Sequence, residues 1–256
     1  MTVPFKVVIP ARFASTRLPG KPLLDIAGRP MILHVCDRAI QADAEQVIVA
    51  TDNDKIHDIV RSAGIDAMIT GAGHRSGTER IAEVATKYAW NDADIIVNLQ
   101  GDEPLLPPAY IRDVATALAL QQQAGIATLA APCHDLEEVF DANAVKVVVN
   151  RDGYALYFSR APIPWDREHF QTKPKTLARP GQYLRHIGLY AYRVGFLHRY
   201  TGWPESVLEN IEALEQLRIL WHGEAILVKT VPEAPAAGVD TQADLDRVID
   251  ILKQSE

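Results

Sequence analysis

Cysteine is nearly missing from this chain of 256 residues: Cys36 and Cys133 stand alone, too few for a disulfide framework and without the CxxC or Cys/His spacing of a metal site. Both are expected as buried free thiols with no chemistry of their own. No apolar run approaches the roughly 20 residues that a membrane helix needs. Met1-Thr2-Val3-Pro4-Phe5-Lys6 lacks the basic-then-apolar build of a secretory signal. No membrane insertion is therefore expected, and the cytoplasm is the expected compartment. Positive charge is in deficit, with 26 Lys and Arg against 33 Asp and Glu for a net charge of −7. That argues against a nucleic-acid surface, because neutralising many phosphates needs a basic face. Familiar catalytic motifs are missing as well. Gly20-Lys21 is followed by Pro22 and has no glycine five residues before Gly20, so it is not the GxxxxGK[ST] P-loop. Gly71, Gly73 and Gly77 are misspaced for GxGxxG and come late, which makes a dinucleotide site unexpected. Neither HExxH nor GxSxG occurs.

What is present is a hydrophobic content of 48%, enough to bury one large domain or one domain with an inserted lobe. Short apolar runs alternate with amphipathic stretches. Phe5 to Pro10, Gln46 to Ala50, Ala67 to Thr70 and Asp94 to Leu99 read as strands, with helices over Pro30 to Ala42, Asp54 to Ala63 and Gly77 to Ala89. Pro30 suits a first helical turn, Gly64 a helix end, and Ser76-Gly77-Thr78-Glu79 a capping box. The strands are apolar on both faces, as crossover helices require, so the alternation predicts an α/β fold with a mainly parallel sheet. After Pro132 the pattern changes. Val145 to Val149, Tyr154 to Phe158, Ile187 to Tyr192 and Ala225 to Val231 are strand-like, and Pro162 to Gly181 is rich in Pro, Lys and Arg, an excursion from the main sheet. Leu208 to Trp221 reads as one amphipathic helix, and Thr241 opens a last helix with Asp244 at the capping-box position. No repeat, low-complexity tract or linker divides the chain, so one domain is expected over residues 1–256, with a smaller β-rich lobe around 155–205.

Two segments carry chemistry. In Val8-Ile9-Pro10-Ala11-Arg12-Phe13-Ala14-Ser15-Thr16-Arg17-Leu18-Pro19-Gly20-Lys21-Pro22-Leu23 an apolar strand runs into a loop with three cations, two hydroxyls and a glycine. Cations and loop amides at the carboxyl end of a strand suit phosphate oxygens. In Ile95-Ile96-Val97-Asn98-Leu99-Gln100-Gly101-Asp102-Glu103-Pro104 a second strand delivers a carboxylate beside a glycine, where Asp102 could reach Mg²⁺ on a nucleotide. Asp102 is preferred to Glu103, which lies farther from the strand end and precedes a proline. Capping of a turn accounts for Asp102 equally well on this segment alone. Asp240, just before the last helix, has the same two readings.

These segments, with Ser76-Gly77-Thr78-Glu79-Arg80, Tyr157-Phe158-Ser159-Arg160, Leu184-Arg185-His186-Ile187-Gly188-Leu189-Tyr190 and Gly238-Val239-Asp240-Thr241, closely resemble the 3-deoxy-manno-octulosonate (Kdo) cytidylyltransferases, nearly end to end and in order. The resemblance implies a Rossmann-like nucleotidyltransferase fold and the reaction of CTP with the sugar acid Kdo to CMP-Kdo and pyrophosphate, with Mg²⁺ as cofactor, for lipopolysaccharide synthesis. It implies that Arg12, Ser15 and Lys21 grip the nucleotide, with Ser76, Thr78 and Arg80 near it, and that Asp102 and Asp240 hold metal. Lys21, Arg12, Asp102 and Asp240 become the candidate catalytic residues. Gln100, Arg160, His186, Tyr190, Glu215 and Gln216 would line the sugar pocket. It further implies a homodimer formed through the excursion after Tyr157. The stretch from Glu168 to Gln182 fits the family least well.

The residue types suit those roles. A guanidinium such as Arg160 matches a carboxylate, and His186, Tyr190, Glu215 and Gln216 are mixed donors and acceptors for a polyol. Each also has a plain structural role: His186 and Tyr190 alternate with apolar residues on a strand, Arg160 could pair with a surface acid, and Glu215 lies within an amphipathic helix. In-line attack of the sugar's anomeric hydroxyl on the α-phosphorus needs no side-chain base if metal lowers the hydroxyl's pKa. The neighbouring alternatives are an 8-amino variant of Kdo, a sialic acid, or a nucleotide-binding sensor without turnover.

Overall fold

In the computed structural model, which describes residues 3–14, 18–171, 175–178 and 181–253, the alternating pattern becomes a sheet covered on both faces. The first unit is β1 (Lys6–Ala11), a 3-10 turn over Lys21–Leu23, the short hairpin β2 (Asp25–Ile26) and β3 (Arg29–Pro30), and α1 (Met31–Gln41). Then come β4 (Gln46–Thr51), α2 (Asp54–Ser62), β5 (Asp66–Ile69), α3 (Gly77–Lys87) and β6 (Ile95–Asn98). These match the predicted elements to within a few residues, with Pro30 just before α1 rather than inside it. Gly64, at φ +78°, follows the end of α2 in the left-handed conformation that glycine tolerates.

Beyond β6 the sequence reading is thinner. It assigns no element to α4 (Pro108–Leu120), β7 (Ile126–Pro132) and α5 (Leu136–Phe140), nor to the later helix over Val194–Thr201. For α4 the signal was there: Pro108 opens it, and Tyr110, Ile111, Val114, Ala115 and Leu118 form a buried stripe at helical spacing. The chain continues through β8 (Lys146–Val149), β9 (Ala155–Ser159), β10 (Leu184–Arg193), α6 (Val194–Thr201), α7 (Val207–Glu212), α8 (Gln216–Trp221), β11 (Ile226–Thr230) and α9 (Gln242–Lys253). The single helix expected over Leu208 to Trp221 is two helices, α7 and α8, broken at Ala213, whose φ is +49°.

Among the described residues the main sheet has nine strands, in the order β11-β7-β10-β6-β1-β4-β5, with β8 joining β10 and β9 joining β8. β1 pairs in parallel with β4 and β6, β4 with β5, and β11 with β7. β10 lies antiparallel between β6 and β7, so those two also share a direction. The sheet is thus mainly parallel, as expected. β8 and β9 extend the same sheet through β10, while the described residues of the predicted excursion, 162–181, form no strand. Side chains alternate between the faces. Val7 and Ile9 of β1 pack with α1, α2 and α4, whereas Val8 packs with α3, α6 and α8. Cys36 and Cys133 are buried free thiols, as expected, and burial pushes both pKa values up to about 12.

Two features of this topology position a site. From β1 the chain winds out through β4 to β5 and then returns to β6 on the other side of β1, so the loops after β1 and β6 part and leave a crevice at the strands' carboxyl ends. At the other end of the chain, Val239, Leu245 and Val248 pack against Ile26 and Met31. That packing brings the segment before α9 to the loop after β1.

Candidate active site

The loop after β1 returns to the sheet through Gly20, at φ +67°, whose N–H donates to the Phe13 carbonyl. This turn sets Lys21 over the mouth of the crevice. Its Nζ donates to Asp102 Oδ2 at 2.6 Å, to the Val239 carbonyl at 3.0 Å and to Asp240 Oδ1 at 3.0 Å. Partial burial works to lower the lysine's pKa, but the two carboxylates outweigh it and the pKa is raised. Lys21 is therefore charged at neutral pH. Asp102 stands on the turn after β6, where Gly101 allows the strands' ends to close: a Cβ there would lie 2.9 Å from the Pro10 carbonyl oxygen. Gly238 does the same for the C-terminal segment, since its Cβ would meet the Asp102 carbonyl at 2.9 Å. The Val239 N–H donates to that same carbonyl. A cleft of about 290 Å³ opens beside this cluster, lined by Arg12, Lys21, Gln100, Asp102 and Asp240. Arg12 is exposed at its rim, and Ser15 lies outside the described residues.

The donors at this point are two carboxylate oxygens already turned to one cation, the Lys21 ammonium. Hard oxygen donors of this kind suit Mg²⁺, which commonly takes one or two protein carboxylates and completes its shell with phosphates and water. No group of three or more His, Cys, Asp or Glu suited to hold a metal occurs among the described residues, so a protein-only metal cage is not what this cluster resembles. Glu103 turns inward beside it, and burial together with Asp102 and Asp240 pushes its pKa up to about 8.

A second cleft, of about 210 Å³, shares Gln100 with the first. Its wall comes from β10, where a bulge between Ile187 and Tyr190 sits beside β7. His186, Tyr190 and Tyr192 line it together with Asn98 on the neighbouring β6, Thr78, Glu215 and Gln216. Burial holds the His186 pKa down to about 3 and raises that of Tyr190 well above the ordinary phenol value, so both are neutral at pH 7. Gln100 donates to Asn98 Oδ1 at 3.1 Å. Glu215 accepts from the buried Tyr200 hydroxyl at 2.7 Å. The break between α7 and α8 sets Glu215 at the start of α8 instead of leaving it on a solvated helix face.

Three predicted site residues are placed elsewhere. Arg160 lines neither cleft; its Nε donates to the Glu212 carbonyl at 2.7 Å, its Nη2 to the Ala213 carbonyl at 3.4 Å and its Nη1 to the Ala142 carbonyl at 2.9 Å. The guanidinium caps the end of α7 and so supports the break that delivers Glu215 and Gln216. Arg80 lines neither cleft as well. It is buried, with Nη2 on Asp52 Oδ2 at 3.1 Å and Nη1 on the Thr70 hydroxyl. Asp52 in turn accepts from the Phe13 N–H at 3.3 Å, so Arg80 steadies the loop after β1 from behind. Ser76 caps α3 by accepting from the Glu79 N–H at 3.2 Å, while Glu79 reaches back to Arg75 rather than to Ser76. Thr78, read as near the nucleotide, stands in the second cleft. Asn98, Tyr192 and Tyr200 were missed. One of them was in reach of sequence reasoning: Tyr192 shares the face of Tyr190 by strand alternation, whereas Asn98 joins them only through the pairing of β6 with β10, where it lies across from Tyr190.

The arrangement joins a charged cleft holding a lysine between two carboxylates to a polar cleft without a cation. Comparison with known proteins agrees with it. The cytidylyltransferase family profile matches residues 6–226. A 3-deoxy-manno-octulosonate cytidylyltransferase of Yersinia enterocolitica serotype O:8 / biotype 1B is 57% identical over 248 residues, covering 97% of this chain and 98% of that protein. The chain belongs to the 3-deoxy-manno-octulosonate cytidylyltransferase family. A second member, from Aeromonas salmonicida, is 55% identical over 97% of this chain and 98% of its own length. Among solved structures, a CMP:2-keto-3-deoxy-manno-octonic acid synthetase complexed with CTP superimposes with a TM-score of 0.89 at 42% identity, covering 99% of this chain and all of that one. In this cytidylyltransferase, then, the mainly parallel sheet and its crevice are those of a nucleotidyltransferase.

Proposed function

We propose that this chain activates Kdo: CTP and 3-deoxy-D-manno-octulosonate give CMP-Kdo and pyrophosphate, the step before transfer of the sugar into lipopolysaccharide. The observation that carries the reading is the pair of clefts meeting at Gln100, one with cationic and carboxylate groups for a triphosphate, the other with neutral donors and acceptors for a polyol. Membership of the family supports it. Arg12 and Lys21 are positioned to take phosphate oxygens. Gln100, His186, Tyr190, Glu215 and Gln216 offer hydrogen bonds to hydroxyls. The sugar carboxylate is expected to turn away from Glu215 and towards Lys21 and Arg12, because the second cleft holds no Lys or Arg to offset two negative charges.

The attack is in line: the anomeric oxygen of Kdo bonds to the α-phosphorus of CTP, its proton is released, and the bond to pyrophosphate breaks. Asp102 and Asp240 would hold Mg²⁺, the cofactor we propose. Bound there, Mg²⁺ would neutralise charge on the triphosphate and lower the pKa of the attacking hydroxyl. Lys21 can then exchange its carboxylate partners for phosphate oxygens and stabilise charge as it shifts to the leaving group. Gln100, at the edge common to both clefts, orients the sugar next to the phosphate. We also propose a homodimer and a cytoplasmic enzyme. No described helix is long and apolar enough to cross a membrane.

Pyrophosphate release tests the reading, with CTP, UTP, ATP or GTP, each offered Kdo, 8-amino-Kdo, sialic acid or no sugar. Release with CTP and Kdo is expected. Faster release with 8-amino-Kdo would move the assignment to the amino sugar, which the Glu215 carboxylate could receive as an ammonium. Binding of CTP without turnover of any pair would overturn the enzymatic reading in favour of a nucleotide sensor.

A further inference from the structure

Thr128 lies on β7 beneath the bulge of β10, fully buried. Its Oγ1 is 3.0 Å from His186 Nε2, 3.1 Å from the Ile187 carbonyl oxygen and 2.9 Å from the Leu189 carbonyl oxygen. A hydroxyl has one proton and two lone pairs, and a carbonyl oxygen can only accept. The Thr128 proton therefore goes to the two bulge carbonyls, and toward the imidazole Thr128 has only a lone pair left. The nitrogen that faces it, Nε2, must donate. Burial keeps the ring neutral at pH 7, so it has a single proton, and that proton is on Nε2. Nδ1 is left with its lone pair. Among the described residues no buried side-chain nitrogen or oxygen is without a partner, which fits an Nδ1 open to the cleft that His186 lines.

We propose that Thr128 is a positioning residue that fixes His186 as the Nε2–H tautomer, so that the ring offers the sugar pocket a single group, the Nδ1 acceptor, and selects a sugar hydroxyl that donates to it. This rests on the reading of the second cleft as the sugar pocket. The bulge is part of the device. By turning both the Ile187 and Leu189 carbonyls onto one hydroxyl, it commits the Thr128 proton and leaves the imidazole no choice of tautomer. A plain strand would present one of those carbonyls elsewhere. The consequence for specificity is directional: a substrate whose facing hydroxyl is replaced by an ether or by hydrogen loses the bond, whereas a substrate that can only accept there gains none.

The test begins on the free protein, without substrate. Nitrogen-15 NMR of histidine-labelled protein, with the His186 signals identified by their loss in His186→Gln, is expected to show a protonated Nε2 and an unprotonated Nδ1. Thr128→Ser keeps the hydroxyl and is expected to keep that pattern. Thr128→Val, which keeps the shape and removes the lone pair, is expected to mix the tautomers and raise KM for Kdo about tenfold, the equivalent of one hydrogen bond, with KM for CTP within about twofold. A protonated Nδ1 in the wild-type protein, or an unchanged tautomer in Thr128→Val, overturns the proposal. If Thr128→Val does not fold, the wild-type and Thr128→Ser spectra decide it alone. Failure of the sugar-pocket reading would show separately, as absence of pyrophosphate release with Kdo in wild-type protein whose tautomer is as described.

Discussion

Lys21 joins the loop after β1 to two carboxylates brought from residues 102 and 240, and both of them keep the charge on its ammonium. Removing it should leave Asp102 and Asp240 facing each other and the phosphates without their cation. Lys21→Ala is expected to lower kcat for pyrophosphate release by about 100- to 1,000-fold, roughly 3 to 4 kcal/mol, and near-normal turnover would contradict the role given to it. His186 makes a different forecast, on stability. Its folded pKa is about 3 against an ordinary 6.5, so between those values the unfolded chain takes up a proton that the folded chain refuses. Its contribution is present above pH 6.5 and is lost as pH falls, with a slope of about 1.4 kcal/mol per pH unit at most. Urea unfolding at pH 7, 6 and 5 should therefore show a shallower loss in His186→Gln than in wild type; equal slopes would contradict the buried neutral ring. Position after a strand or before a helix makes Lys21, Asp102 and Asp240 candidates. Capping explains the two aspartates equally well until the family resemblance singles them out, and folding brings the three side chains together. Sequence was not enough for Arg80 and Arg160. A guanidinium's partner is set by folding, and here those partners are Asp52 for Arg80 and the carbonyls of Glu212, Ala213 and Ala142 for Arg160.

The break between α7 and α8 shows how local periodicity can mislead. Leu208, Leu214, Leu217 and Leu220 pack on one core, and with Ile211 they recur every three residues across Ala213, so the run reads as one helix. What divides it is a long-range contact, Arg160 on the last carbonyls of α7, together with the left-handed Ala213. The α7 start carries its own mark, the Ser206–Glu209 capping box, which the apolar run overshadowed. Thr241 and Asp244, by contrast, do form the reciprocal cap that their spacing predicts, with N–H to side-chain distances of 3.3 and 3.0 Å. If Arg160 acts by capping, Arg160→Met should destabilise the protein by about 1 to 2 kcal/mol in urea. It should also raise KM for the sugar while KM for CTP stays near wild type, since Glu215 and Gln216 lose their placement but Lys21 and Asp102 do not. An unchanged sugar KM would contradict the positioning role.

The order of strands explains why the two clefts adjoin. β1 and β6 are neighbours whose following loops diverge, and β10 enters beside β6 from the opposite direction, bringing His186 and Tyr190 to the same side as Gln100. Alternation along the chain predicted the parallel part, because each strand–helix unit is local. The antiparallel entry of β10 was not legible, since nothing in Ile187 to Tyr192 states its direction or its partners. The homodimer expected through the excursion after Tyr157 is likewise a matter of surface: Trp165, within that excursion, is an exposed apolar side chain, and light scattering should give about twice the 28.3 kDa chain mass, whereas a monomer mass would contradict it. The most direct measurement on the account as a whole is phosphorus-31 NMR of the purified protein with CTP, Kdo and Mg²⁺. It should show the triphosphate signals replaced by pyrophosphate and a single new phosphodiester, the bond between the α-phosphorus and the anomeric oxygen. Release of inorganic phosphate with CDP, or an unchanged CTP spectrum, would contradict it.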